Sequence, residues 1–311
     1  MKFLFTIVCW LFVHYSFAQQ PQYLRREFLF TSENDAFLFQ IKDAYYTNGV
    51  FLNFRIADIS GLRKKIHSFE IGQKIFTPVS KKAETGNEID RPYCGYLFVG
   101  YTRLNSYKND ALFHWGGNVG VVGNTSLGEA LQNSYHKLFG FKRFEGWKYQ
   151  VRNAIGIDFN ASYAQTLFNY QDLLKIVPFA EATLGTHFTN VRAGAILCIG
   201  AYESNKSSVL FNTRVSSGYA APKKKMELFV YAYPSVLVQA YNASLQGGLF
   251  NKGNGAILAN PETWVVEHRW GICFAKNRFS SRMELIHQSK EATSQLQAQN
   301  YGSVQVGIRM F

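Results

Sequence analysis

Residues 266–275 read Val-Glu-His-Arg-Trp-Gly-Ile-Cys-Phe-Ala. Val266, His268, Trp270, Ile272 and Phe274 fall on one side of an extended chain, and Glu267, Arg269, Gly271, Cys273 and Ala275 on the other. A period of two is the signature of a strand with two different neighbours. The same pattern sets Val50, Leu52, Phe54 and Ile56 against Phe51, Asn53, Arg55 and Ala57. It also sets Val191, Ala193, Ala195, Leu197, Ile199 and Ala201 against Arg192, Gly194, Ile196, Cys198 and Gly200. One face is apolar; the other is polar or small. A strand that crosses a membrane needs lipid on one side, a polar lumen on the other and no unpaired edge in hydrocarbon.

Twelve such segments are expected, at about 27–34, 47–58, 65–77, 94–105, 111–122, 147–166, 171–186, 188–202, 225–243, 262–276, 279–292 and 301–311. The fold class is therefore all-β: a 12-stranded antiparallel transmembrane β-barrel. An even count keeps both termini on one side. The last strand ends at Phe311, although Val304, Val306, Ile308 and Met310 share a face that excludes it. Pro178 and Pro234 fall inside expected strands, where a missing N–H breaks a ladder.

The remaining composition agrees. Residues 1–18 read as a secretory signal: Lys2, an apolar run from Phe3 to Val13, and Ser16-Phe17-Ala18 before Gln19. Residues 19–311 then form one barrel domain. No later run is long and apolar enough for a membrane helix. Aromatic residues make up 16% of the chain, as interfacial girdles require. An aromatic-rich soluble sandwich is the alternative. Cys94, Cys198 and Cys273 are too widely spaced for a disulfide framework or a zinc site. The charge of +12 is scattered apart from Lys223-Lys224-Lys225, which suits phosphorylated lipid at a cell surface better than nucleic acid.

If the first strand leaves the periplasm, the connections at 35–46, 78–93, 123–146, 244–261 and 293–300 lie outside the cell, with a tight turn near 187. The opposite turns, at 59–64, 106–110, 167–170 and 277–278, are short. The 203–224 connection is too long for that rule.

The polar motifs cluster in the first three outer connections. Asn34, Asp35 and Thr47 flank the first. Asn-Asp and Tyr-Thr-Asn-Gly also read as ordinary turn chemistry. The second carries Lys81, Lys82 and Arg91, which can bind phosphate, although Asp90-Arg91 reads equally as a structural ion pair. The third is expected to hold a short helix over 126–139. Ser126 and Glu129 have capping-box spacing, and Gly140 supplies the left-handed end. Glu129, Gln132 and His136 share one face; Leu127, Leu131 and Leu138 mark another, able to pack on the barrel wall. There is no Gly-x-Ser-x-Gly elbow, His-Glu-x-x-His or phosphate loop.

Glu33-Asn34-Asp35, Tyr46-Thr47-Asn48-Gly49, Asp90-Arg91, Gly120-Val121-Val122-Gly123, Gln132-x-x-x-His136 and Gly146-Trp147 together resemble the outer-membrane lipid A 3′-O-deacylases. The resemblance covers nearly the whole chain after residue 18, most strongly to residue 160. It implies a calcium-dependent esterase acting on lipid A of lipopolysaccharide, among outer-membrane lipids. By motif position it makes His136 the general base and Asn34, Asp35, Thr47 and Gln132 its partners. Asp35 and Asn34 would offer hard oxygen ligands to Ca²⁺. The chain departs from the family at Lys142, where an acidic residue is usual; Glu145 lies nearby. The competing readings are a non-enzymatic barrel and an outer-membrane phospholipase, which uses a Ser nucleophile beside His; Ser134 is two residues from His136, on a different helix face.

Overall fold

The computed structural model describes residues 23–38, 44–58, 63–79, 88–140, 145–218, 221–251 and 255–311. The expected signal at 1–18 lies outside these residues, as do Lys81, Lys82 and Lys142. The strands are β1 (Arg26–Asn34), β2 (Tyr45–Ala57), β3 (Lys65–Thr77), β4 (Cys94–Ser106), β5 (Leu112–Val122), β6 (Ala154–Ala164) and β7 (Phe168–Tyr170). They continue with β8 (Leu174–Gly185), β9 (Phe188–Ala201), β10 (Met226–Asn242), β11 (Trp264–Lys276), β12 (Phe279–Gln288) and β13 (Gln299–Met310).

All pairings are antiparallel; β1 joins β13, and β6 joins β8. The ring has twelve strand positions, because β6 and β7 occupy one. Residues 158–164 of β6 pair with 179–185 of β8, and β7 pairs with 174–176 of the same strand. Only 165–167 interrupt that edge. Gln171 and Asp172 then turn the chain with φ of 49° and 53°, the pair of left-handed residues a tight hairpin needs.

The alternation works as expected. Phe28, Leu52, Phe69, Val99, Ile157, Ile199 and Trp270 are exposed on the outer face. Asn53, Arg55, Glu70, Asn118, Arg192, Glu267 and Arg269 line a lumen cavity of about 620 Å³. Many lumen charges are matched. Arg192 lies 3.0 Å from Glu181 and 2.5 Å from Glu267, and Arg269 2.5 Å from Glu267. Both prolines stay within strands. Pro234 pairs with His268 on β11, while the β9 ladder skips Tyr233 and Pro234. Cys94, Cys198 and Cys273 are buried free thiols in strands.

One boundary is corrected. Residues 147–153, expected as strand, contain a 3₁₀ turn over Gly146–Tyr149, and β6 begins only at Ala154. Trp147 and Val151 are buried in that return segment, so local packing overrides the strand pattern.

The long connection after β9 folds as a plug. Residues 205–207 and 209–211 form 3₁₀ turns, and Leu210, Phe211 and Asn212 line the lumen cavity. Wall residues hold its backbone. Arg55 donates to Asn212 O at 3.1 Å, Arg282 to Leu210 O at 2.7 Å, and Lys64 to Thr213 O and Lys206 O at 2.5 and 2.7 Å. Glu227 of β10 accepts from Val209 N, Ser208 Oγ and Arg214 Nη1 at 2.9, 2.8 and 2.6 Å. Lys64 lies in the turn before β3, where burial, aided by the charges of Arg214 and Arg309, pulls its ammonium down to about 7. The largest apolar core surrounds this plug, with Tyr202, Val209, Phe211 and Val215 against Ile66, Leu112, Val177 and Phe229.

Candidate active site

Asn34, Asp35, Thr47, Gln132 and His136 all lie at the opposite, loop-rich end, and all are buried. Strand parity says which side of the wall each faces. In β1, Glu33 shares the lumen face with Leu29 and Thr31, so Asn34 shares the outer face with Phe28 and Phe30. In β3, Lys74 and Phe76 line the lumen. Gln73, Ile75 and Thr77 therefore face outward.

Thr47 reaches that outer face through a β-bulge. Tyr46 pairs with Phe76 and Asn48 with Ile75, which leaves Thr47 as the extra residue. Unbroken alternation would put position 47 on the lumen face with Phe51 and Asn53. The bulge reverses the phase. Thr47 Oγ1 instead lies 2.6 Å from Thr77 Oγ1. Asn34 Oδ1 accepts from Ala36 N at 2.7 Å, and Asp35 Oδ2 from Ala44 N at 3.0 Å, so the first connection closes on these two side chains.

The helix α1 spans Gly128–Phe139 and lies against this same outer face, over β3 and β4. Gly95 and Gly128 make the approach possible. A Cβ on Gly95 would lie 2.0 Å from Ser126 Oγ, and one on Gly128 2.9 Å from the Gly95 Cα. Gln73 donates to Ser126 O. The helix starts two residues later than expected. Leu127 is left-handed at φ 62°, and Ser126 donates to Gly123 O at 2.5 Å instead of serving as the N-cap. Gly140 ends the helix at φ 72°, as the sequence implies.

The orientation of α1 reverses the expectation. Gln132 and His136, 4% and 3% exposed, form the buried face; Leu127 and Leu131, 59% and 40% exposed, point away. On an outer barrel wall the apolar face of a helix has lipid available, so the polar face turns inward. The result is a crevice between the wall and α1 that buries Gln132 and His136, on the same outer face and at the same end as Asn34 and Thr47.

Within it, Gln132 Oε1 accepts from Trp147 Nε1 at 3.0 Å, and Gln132 Nε2 is buried with no hydrogen-bond partner among the described residues. Leaving such a donor unpaired costs about 1–3 kcal/mol. Ser134 is exposed and donates to Ala130 O at 2.7 Å, on another face from His136, so it is not built as a nucleophile. Arg91 is fully buried. It pairs with Glu291 at 2.8 Å, donates to Ser244 Oγ at 3.0 Å and lies 4.2 Å over the Phe76 ring. The ion pair read at Asp90-Arg91 thus has Glu291 as the arginine's partner, and the guanidinium expected to hold phosphate ties loops together instead. Asp90 accepts from Tyr45 Oη at 2.7 Å.

The sequence places these polar groups at one rim; the helix–wall crevice, Trp147 as a partner of Gln132 and the bulge at Thr47 come from the structure. The Gly146-Trp147 pair was the available signal for the Trp147 contact.

The family model described as outer membrane protein LpxR matches residues 4–310. This chain belongs to the LpxR family. It is similar in fold to LpxR from Salmonella typhimurium, at 19% identity and a TM-score of 0.75, covering 91% of this chain and 100% of that one. The β domain of the Bordetella autotransporter BrkA matches at 10% identity and a TM-score of 0.45, covering 92% and 98%. The translocator domain of the autotransporter NalP from Neisseria meningitidis matches at 9% and 0.44, covering 96% and 92%. Among curated proteins, none matches the sequence.

Proposed function

We propose that this outer-membrane barrel is a lipid A deacylase, hydrolysing an ester-linked acyl chain, the 3′-acyloxyacyl group, at the outer leaflet. The observation that carries this reading is the crevice. His136 and Gln132 are buried toward the outer wall, while Leu127 and Leu131 of the same segment are exposed. An acyl chain in the leaflet lies along that same wall, so substrate reaches His136 laterally, without entering the lumen. Membership of the LpxR family supports the substrate class.

In this mechanism neutral His136 takes a proton from water as the water oxygen attacks the ester carbonyl. The imidazolium then returns the proton to the departing alkoxide. The products are a free fatty acid and a hydroxyl left on lipid A. Asn34 and Thr47, buried on the same outer face, orient the ester.

Ca²⁺ fits the donor chemistry here. Asp35 supplies a buried carboxylate and Asn34, next to it in sequence, a buried amide oxygen, both hard ligands. Among the described residues no group of three or more His, Cys, Asp or Glu could hold a metal, so carbonyl, amide and hydroxyl oxygens would complete the shell. When bound, the ion would polarise the ester carbonyl as a Lewis acid. Lys81 and Lys82 remain proposed phosphate ligands; Arg91 is assigned to the loop network.

The channel reading must contend with residues 202–218 in the lumen's far end. The phospholipase reading's candidate, Ser134, is exposed and donates to Ala130 O, on another helix face from His136. Purified protein in detergent, incubated with lipid A and followed by mass spectrometry, tests the proposal. Loss of one ester-linked acyl unit is expected, and unchanged lipid A would reject it.

A further inference from the structure

Gln132 is held in a way that fixes which end of its amide is available. An indole N–H can donate a hydrogen bond and cannot accept one, whereas an amide offers an accepting oxygen and a donating nitrogen. The atom 3.0 Å from Trp147 Nε1 must therefore be Oε1; the flipped amide would set donor against donor. Nε2, with its two N–H groups, is left buried and unpartnered among the described residues. Gln132 is one turn before His136 on the same buried helix face.

Trp147 is itself immobilised. It is fully buried, its ring 5.2 Å from that of Tyr93, in a cluster with Ile75 and Ile89. A Cβ on Gly128, in the first turn of α1, would lie 3.4 Å from the indole. The indole is wedged between helix and wall, and its single polar atom is spent on Gln132.

We propose that Trp147 is a positioning residue that locks the Gln132 amide so that it presents a donor, never an acceptor, to the reacting ester. This rests on the acyl-ester reading above. When water adds to the carbonyl carbon, the carbonyl π pair moves to oxygen and His136 holds the water's proton. Gln132 Nε2–H donates to that oxyanion. When the carbonyl re-forms, the C–O bond to the alcohol breaks, and His136 delivers its proton to the leaving oxygen. A donor paired only in the transition state is the kind that raises kcat rather than lowering KM.

The test is a double-mutant cycle on the full-length protein in detergent, with lipid A as substrate. Trp147→Phe keeps the ring and removes the N–H. It is expected to lower kcat about tenfold, the worth of one hydrogen bond, with KM within about twofold and the heat-modifiable gel shift intact. Gln132→Ala is expected to lower kcat about 10²-fold. In the Gln132→Ala background, Trp147→Phe should have no further effect, because its role passes through the amide. A further tenfold loss there, or no loss in the single variant, overturns the proposal. If Trp147→Phe fails to fold, Gln132→Glu decides. It still accepts from the indole but offers oxygen in place of nitrogen. Loss at least as large as in Gln132→Ala is expected, and a wild-type rate overturns the donor assignment. Wild-type protein that leaves lipid A intact would instead reject the acyl-ester reading. In that case slow hydrogen exchange at Trp147 Nε1, abolished in Gln132→Ala, is the remaining expectation for the lock; fast exchange in wild type overturns it.

Discussion

The lumen and the crevice beneath α1 are both polar, and they are built in opposite ways. The lumen holds the larger cavity, but many of its charges are matched, as in Arg192 and Arg269 with Glu267. Its far end is closed by a plug bound through wall side chains. In the crevice, by contrast, Gln132 Nε2 has no hydrogen-bond partner among the described residues. Polarity alone does not mark a reaction site. In the reading proposed here, the Gln132 donor one turn from the buried His136 is kept for a ligand, because leaving it unpaired is costly.

The comparison breaks most sharply if chemistry can be removed without touching the fold. His136→Ala should lower the deacylation rate by about 10²–10⁴-fold, the usual loss of a general base. Its gel shift on boiling should match wild type, since position 136 lies on a loop helix outside the strand ladder. Chelation comes next. Removing divalent cations should cost at least about 10²-fold, consistent with several kcal/mol of charge stabilisation, and Ca²⁺ should restore activity. Full activity after exhaustive chelation would mean that protein donors alone stabilise the oxyanion.

The opposite experiment targets the plug. Arg214→Ala leaves Glu227 buried without its guanidinium partner, which costs about 3–5 kcal/mol in comparable buried pairs. Thermal or urea unfolding should shift accordingly, while kcat at the far end stays within about twofold. A parallel fall in kcat would show that the two ends are not independent. The smallest effect is expected at Thr47. Thr47→Ala removes the 2.6 Å contact with Thr77 and should slow hydrolysis about tenfold or less, the worth of one hydrogen bond.

What the sequence revealed follows from the physics of each region. The wall was legible because lipid and lumen impose a strict period of two, clear in 188–201 and 264–276. The end of α1 was legible because Gly140 fills a left-handed position. Its facing is the reverse of what the leucine pattern implies. Leu127 and Leu131 look like a packing stripe by the rule for soluble proteins, and that rule inverts where the surroundings are lipid. Thr47 hid behind a bulge, which shifts phase by one residue and leaves no mark in composition. The plug was unreadable as structure because its short turns have no period. Their partners Arg55, Lys64 and Arg282 are distant in sequence. Arg91 shows the same limit: its partner Glu291 is 200 positions away.

The most direct test of the central claim compares lipid A from outer membranes of cells producing either the wild-type protein or His136→Ala at equal, folded levels. Mass spectrometry should find lipid A lacking one ester-linked acyl unit only with the wild type. Identical lipid A in both would contradict the assignment of the crevice as a deacylase site.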